Sequence, residues 1–384
     1  MTTEVRGPQK LAITQLTEAD ALTDAAIDEF IHQHDFPIIE GPHCTFIYRG
    51  KADQVWLRHT GFSLVSSHPF KLFPDSDLWY AVIQLPEGSR LEYKFEIWNG
   101  EDCHLIEDPL NPMRAEDPFG ANSVCHSAGY QTPDWTLHDP EAPPGEIENH
   151  LFQSDALGRD VHVKHYIPAG FDQSMKYPLL IVHDGEDYLR FSNLGTVLDN
   201  LIHRAAMSPV VVALIDAENR LDEYAADPRH AEFLSEELVP QLELDYPLIG
   251  EPAGRGLMGG SFGAVASLSA AYKYPKFYGR LILQSGSFAF SGSGIKRPPV
   301  FDPIVKFVNE FRDNPIEVAE KWFISCGVFE SLIYENRALV SFLRTKGVNV
   351  TFVEARDGHN WENWRDRLLD AFSWLFPPGM SNAV

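Results

Sequence analysis

The feature that most constrains how this chain folds is a pair of continuous apolar runs, "KYPLLIVHDG" (Lys176–Gly185) and "PVVVALID" (Pro209–Asp216). Neither alternates apolar with polar, so a strand made from either must be buried on both faces. That is the condition of a parallel sheet covered by helices on both sides. "GRGLMGG", "GRLILQSGS", "KWFISCGVFE" and "NVTFVEARDGH" read as further strands, with helix-like segments between them. One of these, "AEFLSEELVPQLELDY", has an amphipathic helical pattern interrupted by Pro240. Strands alternating with helices predict a doubly wound α/β sheet, whose ligands bind beyond the carboxyl ends of its strands.

The N-terminal third has a different texture. Thr17–His34 shows helical periodicity, with Leu22, Ile27, Phe30 and Ile31 on one side and Thr17 and Asp20 near its start. Then "HCTFIYRG", "QVWLRHT", "LWYAVIQLP" and "RLEYKFEIW" follow as short runs rich in aromatic and β-branched residues, separated by turn residues. Such spacing predicts an antiparallel β-sandwich. "EDPLNPMRAEDPFGANSV", with three prolines, is expected to be irregular, and the acidic, proline-containing stretch Asp134–Asn149 to be a linker. The predicted division is a helical lead (1–36), a β-sandwich (37–133), a linker (134–150) and an α/β catalytic domain (151–384).

A net charge of −24 without any Lys/Arg-rich run argues against nucleic acid and against anionic membrane surfaces as partners. No run is long enough to span a bilayer, and "MTTEVRGPQKLAIT" lacks the pattern of a signal peptide, so a cytoplasmic location is expected. Cys44, Cys103, Cys125 and Cys326 include no C-x-x-C pair, so they are expected to be free, mostly buried thiols rather than a zinc or redox site.

Gly259, Ser261 and Gly263 in "GRGLMGGSFGAVASL" fit G-x-S-x-G. The apolar run before Ser261 and the small-residue helical segment after it supply the strand–turn–helix context of a nucleophile elbow. A serine needs a base. His359, in "EARDGHNWENWR", follows the last strand-like run, and its place after the serine matches the order serine, acid, histidine. Of the 15 histidines, position selects this one. The acid is expected just after "WFISC", where Glu330 stands; Glu335 and Asp357 are the alternatives. The amide of Phe262 is the expected first oxyanion donor, and that of Gly185 or Glu186, in "VHDGEDYL", the second.

"YPLLIVHDGEDYL", "IDAENRLDEY", "LMGGSFGAVASL", "CGVFE" and "DGHNWENWRDRL" together resemble the enterochelin (enterobactin) esterase-like branch of the α/β-hydrolases over roughly Leu151–Pro377. "HCTFIYRG", "VWLRH" and "DLWYAVIQLPEGSRLEYKF" are similar to the immunoglobulin-like module that precedes the hydrolase domain in that family. The resemblance implies an α/β-hydrolase preceded by an immunoglobulin-like sandwich. It also implies Arg220, with Glu223 and Tyr224 after it, beside the active site, where the guanidinium either holds a substrate oxygen or pairs with a neighbouring acid; Trp361 either lines the pocket or anchors the last helix, and Trp364 suits the anchoring better. The family often has two glycines after the serine pattern, whereas Ala264 follows Gly263 here.

The expected activity is hydrolysis of a small-molecule ester or lactone through an acyl-enzyme, with no cofactor and no metal. Esters of acylated sugars are one alternative, and a non-catalytic or carbohydrate-binding role of the N-terminal module is another. A homo-oligomer is compatible with the sequence.

Overall fold

A computed structural model describes residues 10–17, 22–61 and 63–383. The chain divides into two compact units, Met1–Gln131 with Arg356–Gly358, and Thr132–Ala355 with His359–Val384.

In the first unit, helices α1 (Thr14–Thr17) and α2 (Asp24–Gln33) precede ten strands. These are β1 (Ile38–Glu40), β2 (His43–Arg49), β3 (Gln54–His59), β4 (Ser67–Pro69), β5 (Lys71–Leu72), β6 (Leu78–Gln84), β7 (Arg90–Asn99), β8 (Asp102–Ile106), β9 (Arg114–Asp117) and β10 (Gly120–His126). They form a four-stranded sheet, β1-β2-β6-β5, and a second sheet, β4-β3-β7-β10-β9, with β8 paired to β7. Phe46 and Trp79 from the first sheet and Leu57, Tyr93 and Phe95 from the second share one buried core, so the unit is a two-sheet sandwich.

Two local expectations change here. The helix predicted over Thr17–His34 starts at Asp24, because the Thr23 hydroxyl caps it by accepting from Ala26 N; Asp20 lies outside the described residues. The stretch expected to be irregular forms the β9–β10 hairpin, in which the Asp117 carboxylate accepts the Phe119 amide and Gly120 takes φ +133°.

The second unit contains β11 (Glu146–Ser154), β12 (Arg159–Ile167), β13 (Met175–Lys176), β14 (Leu179–His183), α3 (Gly185–Phe191), α4 (Leu194–His203), β15 (Val211–Ile215), α5 (Arg220–Glu223) and α6 (Pro228–Glu232). It continues through α7 (Val239–Asp245), β16 (Arg255–Gly260), α8 (Phe262–Lys273), β17 (Arg280–Gln284), α9 (Asp302–Asp313), β18 (Lys321–Gly327) and α10 (Ile333–Thr345). Last come β19 (Val350–Ala355), α11 (Trp361–Arg365), α12 (Leu368–Leu375) and β20 (Asn382–Ala383), which pairs with β13. The main sheet has eight strands in the order β11-β12-β15-β14-β16-β17-β18-β19, parallel from β15 to β19 and antiparallel at β11 and β12.

Along β14 and β15, successive residues enter opposite cores: Leu179, Ile181, Val211 and Ala213 one, Leu180 and Val212 the other. Helices α6 to α10 cover the first face, and α3, α4, α11 and α12 the second. This is why both runs carry no polar alternation. The predicted linker is ordered. Trp135 is buried in the second core, its carbonyl accepts Asn200 Nδ2, and β11 begins at Glu146. Pro240 does not break the helical run; a π-helical turn at Phe233–Leu238 leads into α7, whose first turn accepts a residue without an N–H. None of the described helices is long and apolar enough to cross a membrane.

Candidate active site

The chain order places β15 on one side of β14 and β16 on the other, so the carboxyl ends of β14 and β16 flank the topological switch point. Ser261 follows β16 there. It has φ 57° and ψ −117° and caps α8, a strained conformation that lifts the side chain off the strand end. The glycines around it answer to close approach. A Cβ on Gly259 would lie 2.3 Å from the carbonyl carbon of Gly263, and one on Gly260 would lie 2.9 Å from the Trp364 ring. Ser261 N donates to Gln284 O, and Ser261 Oγ lies 3.2 Å from Ser287 Oγ.

Glu330 follows β18 and His359 follows β19, and the two meet with His359 Nδ1 2.6 Å from Glu330 Oε2. The Glu330 side chain is buried, and its other oxygen accepts from Ser285 Oγ at 2.6 Å and from Gly327 N at 2.7 Å. Burial alone would push this carboxyl up. The facing His359, the Ser285 hydroxyl and the Gly327 amide outweigh burial and hold it below the ordinary glutamate value. Ser285, itself at φ 47°, also accepts from Trp364 Nε1 at 2.9 Å, and the His359 ring stands edge-on to Trp364. A charged acid, an imidazole oriented by it and an elbow serine thus follow β18, β19 and β16 at the carboxyl edge of one sheet.

The two alternative acids are engaged elsewhere. Glu335 is paired with Arg297 at 2.5 Å, and Asp357 Oδ1 accepts the amide of Gly358 and lies 3.4 Å from Arg90 Nη1. At the other rim of the switch point, Phe262 opens α8, where the first amides have no intrahelical acceptor. The amide of Glu186 is directed at the Asp216 carboxylate, which leaves Gly185 as the better second donor. Gly185 has no room for a side chain, since a Cβ there would come 2.5 Å from Leu214 Cβ.

Arg220 reaches this region but is held by Asp184, with two hydrogen bonds of 2.7 Å in a fork-to-fork pair. Tyr224 corrects a sequence expectation. It is fully buried, with its hydroxyl at Asp184 N and Ile215 O, so it supports the β14 loop from behind and cannot line a pocket. Trp361 is likewise buried, packed edge-to-face on Tyr188 and Trp364, and anchors the C-terminal helices. Sequence reasoning missed Ser285, Ser287 and Asp184. The first two stand in "LQSGS", directly after a buried strand, the one signal that marked them.

Residues 154–322 match the family profile described as "Putative esterase". The chain is 25% identical over 305 residues to an iron(III) enterobactin esterase of Escherichia coli O6:H1, covering 77% of this chain and 74% of that one. It is 25% identical over 217 residues to an acetyl esterase of Caldicellulosiruptor saccharolyticus, covering 49% of this chain and 82% of that one. The structure of the enterobactin esterase of Shigella flexneri, determined in the presence of enterobactin, superposes with a TM-score of 0.72 at 22% identity, over 87% of this chain and 92% of that one. Taken with the α/β sheet and its helices, these likenesses make the chain similar to the enterobactin esterases in sequence and in fold, and they support a carboxylic ester hydrolase.

Proposed function

We propose that the protein is a serine esterase that cleaves a small-molecule ester or lactone through an acyl-enzyme. The observation that carries this reading is the 2.6 Å contact of His359 with the buried Glu330, together with the strained elbow at Ser261. Glu330 accepts the Nδ1–H of His359, which leaves Nε2 unprotonated as the base. The Ser261 hydroxyl, resting against Ser287, gives its proton to Nε2 as Oγ attacks the ester carbonyl. The oxyanion is received by the amides of Phe262 and Gly185. Imidazolium returns the proton to the leaving alkoxide, and the acyl group stays on Oγ. Water, deprotonated by the same imidazole, then attacks the acyl carbonyl and releases the acid and Ser261.

The substrate is proposed to lack a strong negative charge. The relatives named iron(III) enterobactin esterases act on a ferric complex, yet here Arg220 is already neutralised by Asp184 and the chain carries −24. A field of that sign repels an anionic ester on approach. The N-terminal sandwich is read as the family's immunoglobulin-like module.

The test is labelling by a fluorophosphonate and hydrolysis of p-nitrophenyl acetate. Ser261→Ala must abolish both, and His359→Ala must abolish hydrolysis. Wild-type turnover in either variant refutes the assignment. In a matched pair of neutral and anionic aryl esters, the neutral one should have the higher kcat/KM; the reverse order refutes the substrate reading alone.

A further inference from the structure

Away from Ser261, one face of the β11–β12 ladder gathers two histidines and a carboxylate. Glu148 and His150 stand two residues apart on β11, hence on the same face, and Glu148 is directly opposite His165 on β12. One ligand atom from each of the three lies within 4.8 Å of the others. The closest pair, His150 Nε2 and Glu148 Oε2, is 3.2 Å apart. Two ligands at bonding distance from a tetrahedral zinc ion are about 3.3 Å apart, so this edge of the polyhedron is already formed.

We propose that Glu148, His150 and His165 form a binding site for a divalent transition-metal ion, of the zinc class, with water completing the coordination. The donor set of two imidazoles and one carboxylate suits that class of ion, whereas calcium and magnesium prefer all-oxygen ligands.

The surroundings provide what a metal-binding histidine needs. The Tyr246 hydroxyl lies 3.0 Å from Glu148 Oε2 and 2.9 Å from His165 Nδ1. It has one proton, which goes to the carboxylate, so His165 Nδ1 donates to the phenol oxygen and its Nε2 keeps the lone pair that a metal needs. An oriented outer partner of this kind fixes tautomer and ring direction in metal sites. The His150 ring is stacked on that of His165, with centroids 4.0 Å apart. Its side chain is 44% exposed, so an ion and its waters can reach it from solvent. His150 and His165 line a cavity of about 380 Å³ together with Gln241 and with Asp245, a second carboxylate. Because Tyr246 follows α7, occupation would tie the edge hairpin of the sheet to that helix.

The test uses the full chain stripped with EDTA and titrated with ZnCl₂ by calorimetry, and with CoCl₂ by visible absorption. The expected result is one ion per chain, with the strong absorption of low-coordinate Co²⁺. Glu148→Gln and His150→Ala should each weaken binding at least tenfold, and Tyr246→Phe less, as befits a residue that only orients a ligand. Hydrolysis by His150→Ala should match wild type, which separates this site from the one at Ser261. The proposal is overturned if wild type binds either ion no more tightly than the Glu148→Gln/His150→Ala double variant.

Discussion

Replacing Glu330 by glutamine tests the catalytic assignment at its most sensitive point, because the structure dictates which way the amide must lie. Glu330 Oε1 accepts two donors, Ser285 Oγ and Gly327 N. The serine hydroxyl can rotate, but the Gly327 N–H cannot. A glutamine that turned its NH₂ toward Gly327 would leave two buried donors facing each other, at a cost of about 1–3 kcal/mol. The carbonyl oxygen therefore stays on Gly327, and the NH₂ meets His359 Nδ1, now 2.6 Å from Oε2. That nitrogen must become an acceptor, the proton moves to Nε2, and the ring can no longer take the proton of Ser261. A triad acid changed to its amide in this way costs about 10⁴-fold in kcat, or about 5.5 kcal/mol of transition-state stabilisation. Glu330→Ala should lose less, since an unpartnered ring can adopt either tautomer. The assay is steady-state hydrolysis of p-nitrophenyl acetate by variants whose folding is checked by circular dichroism. Glu330→Gln retaining more than a tenth of the wild-type kcat would refute the reasoning.

Ser285→Ala removes the donor to Glu330 and leaves Trp364 Nε1 buried without its acceptor. It should cost about 2–4 kcal/mol of stability and lower kcat with KM little changed; an unaltered melting curve and kcat would contradict this. The depressed Glu330 value has a pH consequence: its stabilisation is complete above the unfolded glutamate value, about 4.3, and is lost as pH falls through the lower folded value. Urea unfolding should therefore show the stability difference between wild type and Glu330→Gln narrowing below about pH 4.3, and a gap that widens there would be inconsistent with it. Gly259→Ala should fail to give folded protein, because the clash at 2.3 Å is with backbone, whereas Gly195→Ala, with its nearest neighbour at 3.9 Å, should be tolerated; thermal melts of the two decide it.

The parallel sheet was legible because its signal is local. A run such as "LLIVH" cannot be satisfied with one wet face, and β14 is indeed buried on both. The meeting of Glu330 with His359 was legible for a related reason: Ser261, Glu330 and His359 each fall within four residues of a strand's end, and strand ends share one edge of such a sheet. Partners set by tertiary pairing were not. Nothing near Arg220 in sequence indicates that Asp184, 36 residues earlier, neutralises it. Tyr224 and Trp361 looked available because aromatic residues suit pockets and cores alike, and only packing shows both buried. The β9–β10 hairpin was hidden by its prolines, and the Glu148–His150–His165 group by its division between two strands.

The backbone at Ser261 also bears on how this chain can change. A non-glycine residue at φ 57° and ψ −117° costs about 1–3 kcal/mol that glycine would largely avoid. Folding alone therefore disfavours a side chain at this position, and the proposed nucleophilic role of its hydroxyl is what would retain it. Selection for heat resistance without selection for turnover would push position 261 toward glycine, trading the nucleophile for a more relaxed corner.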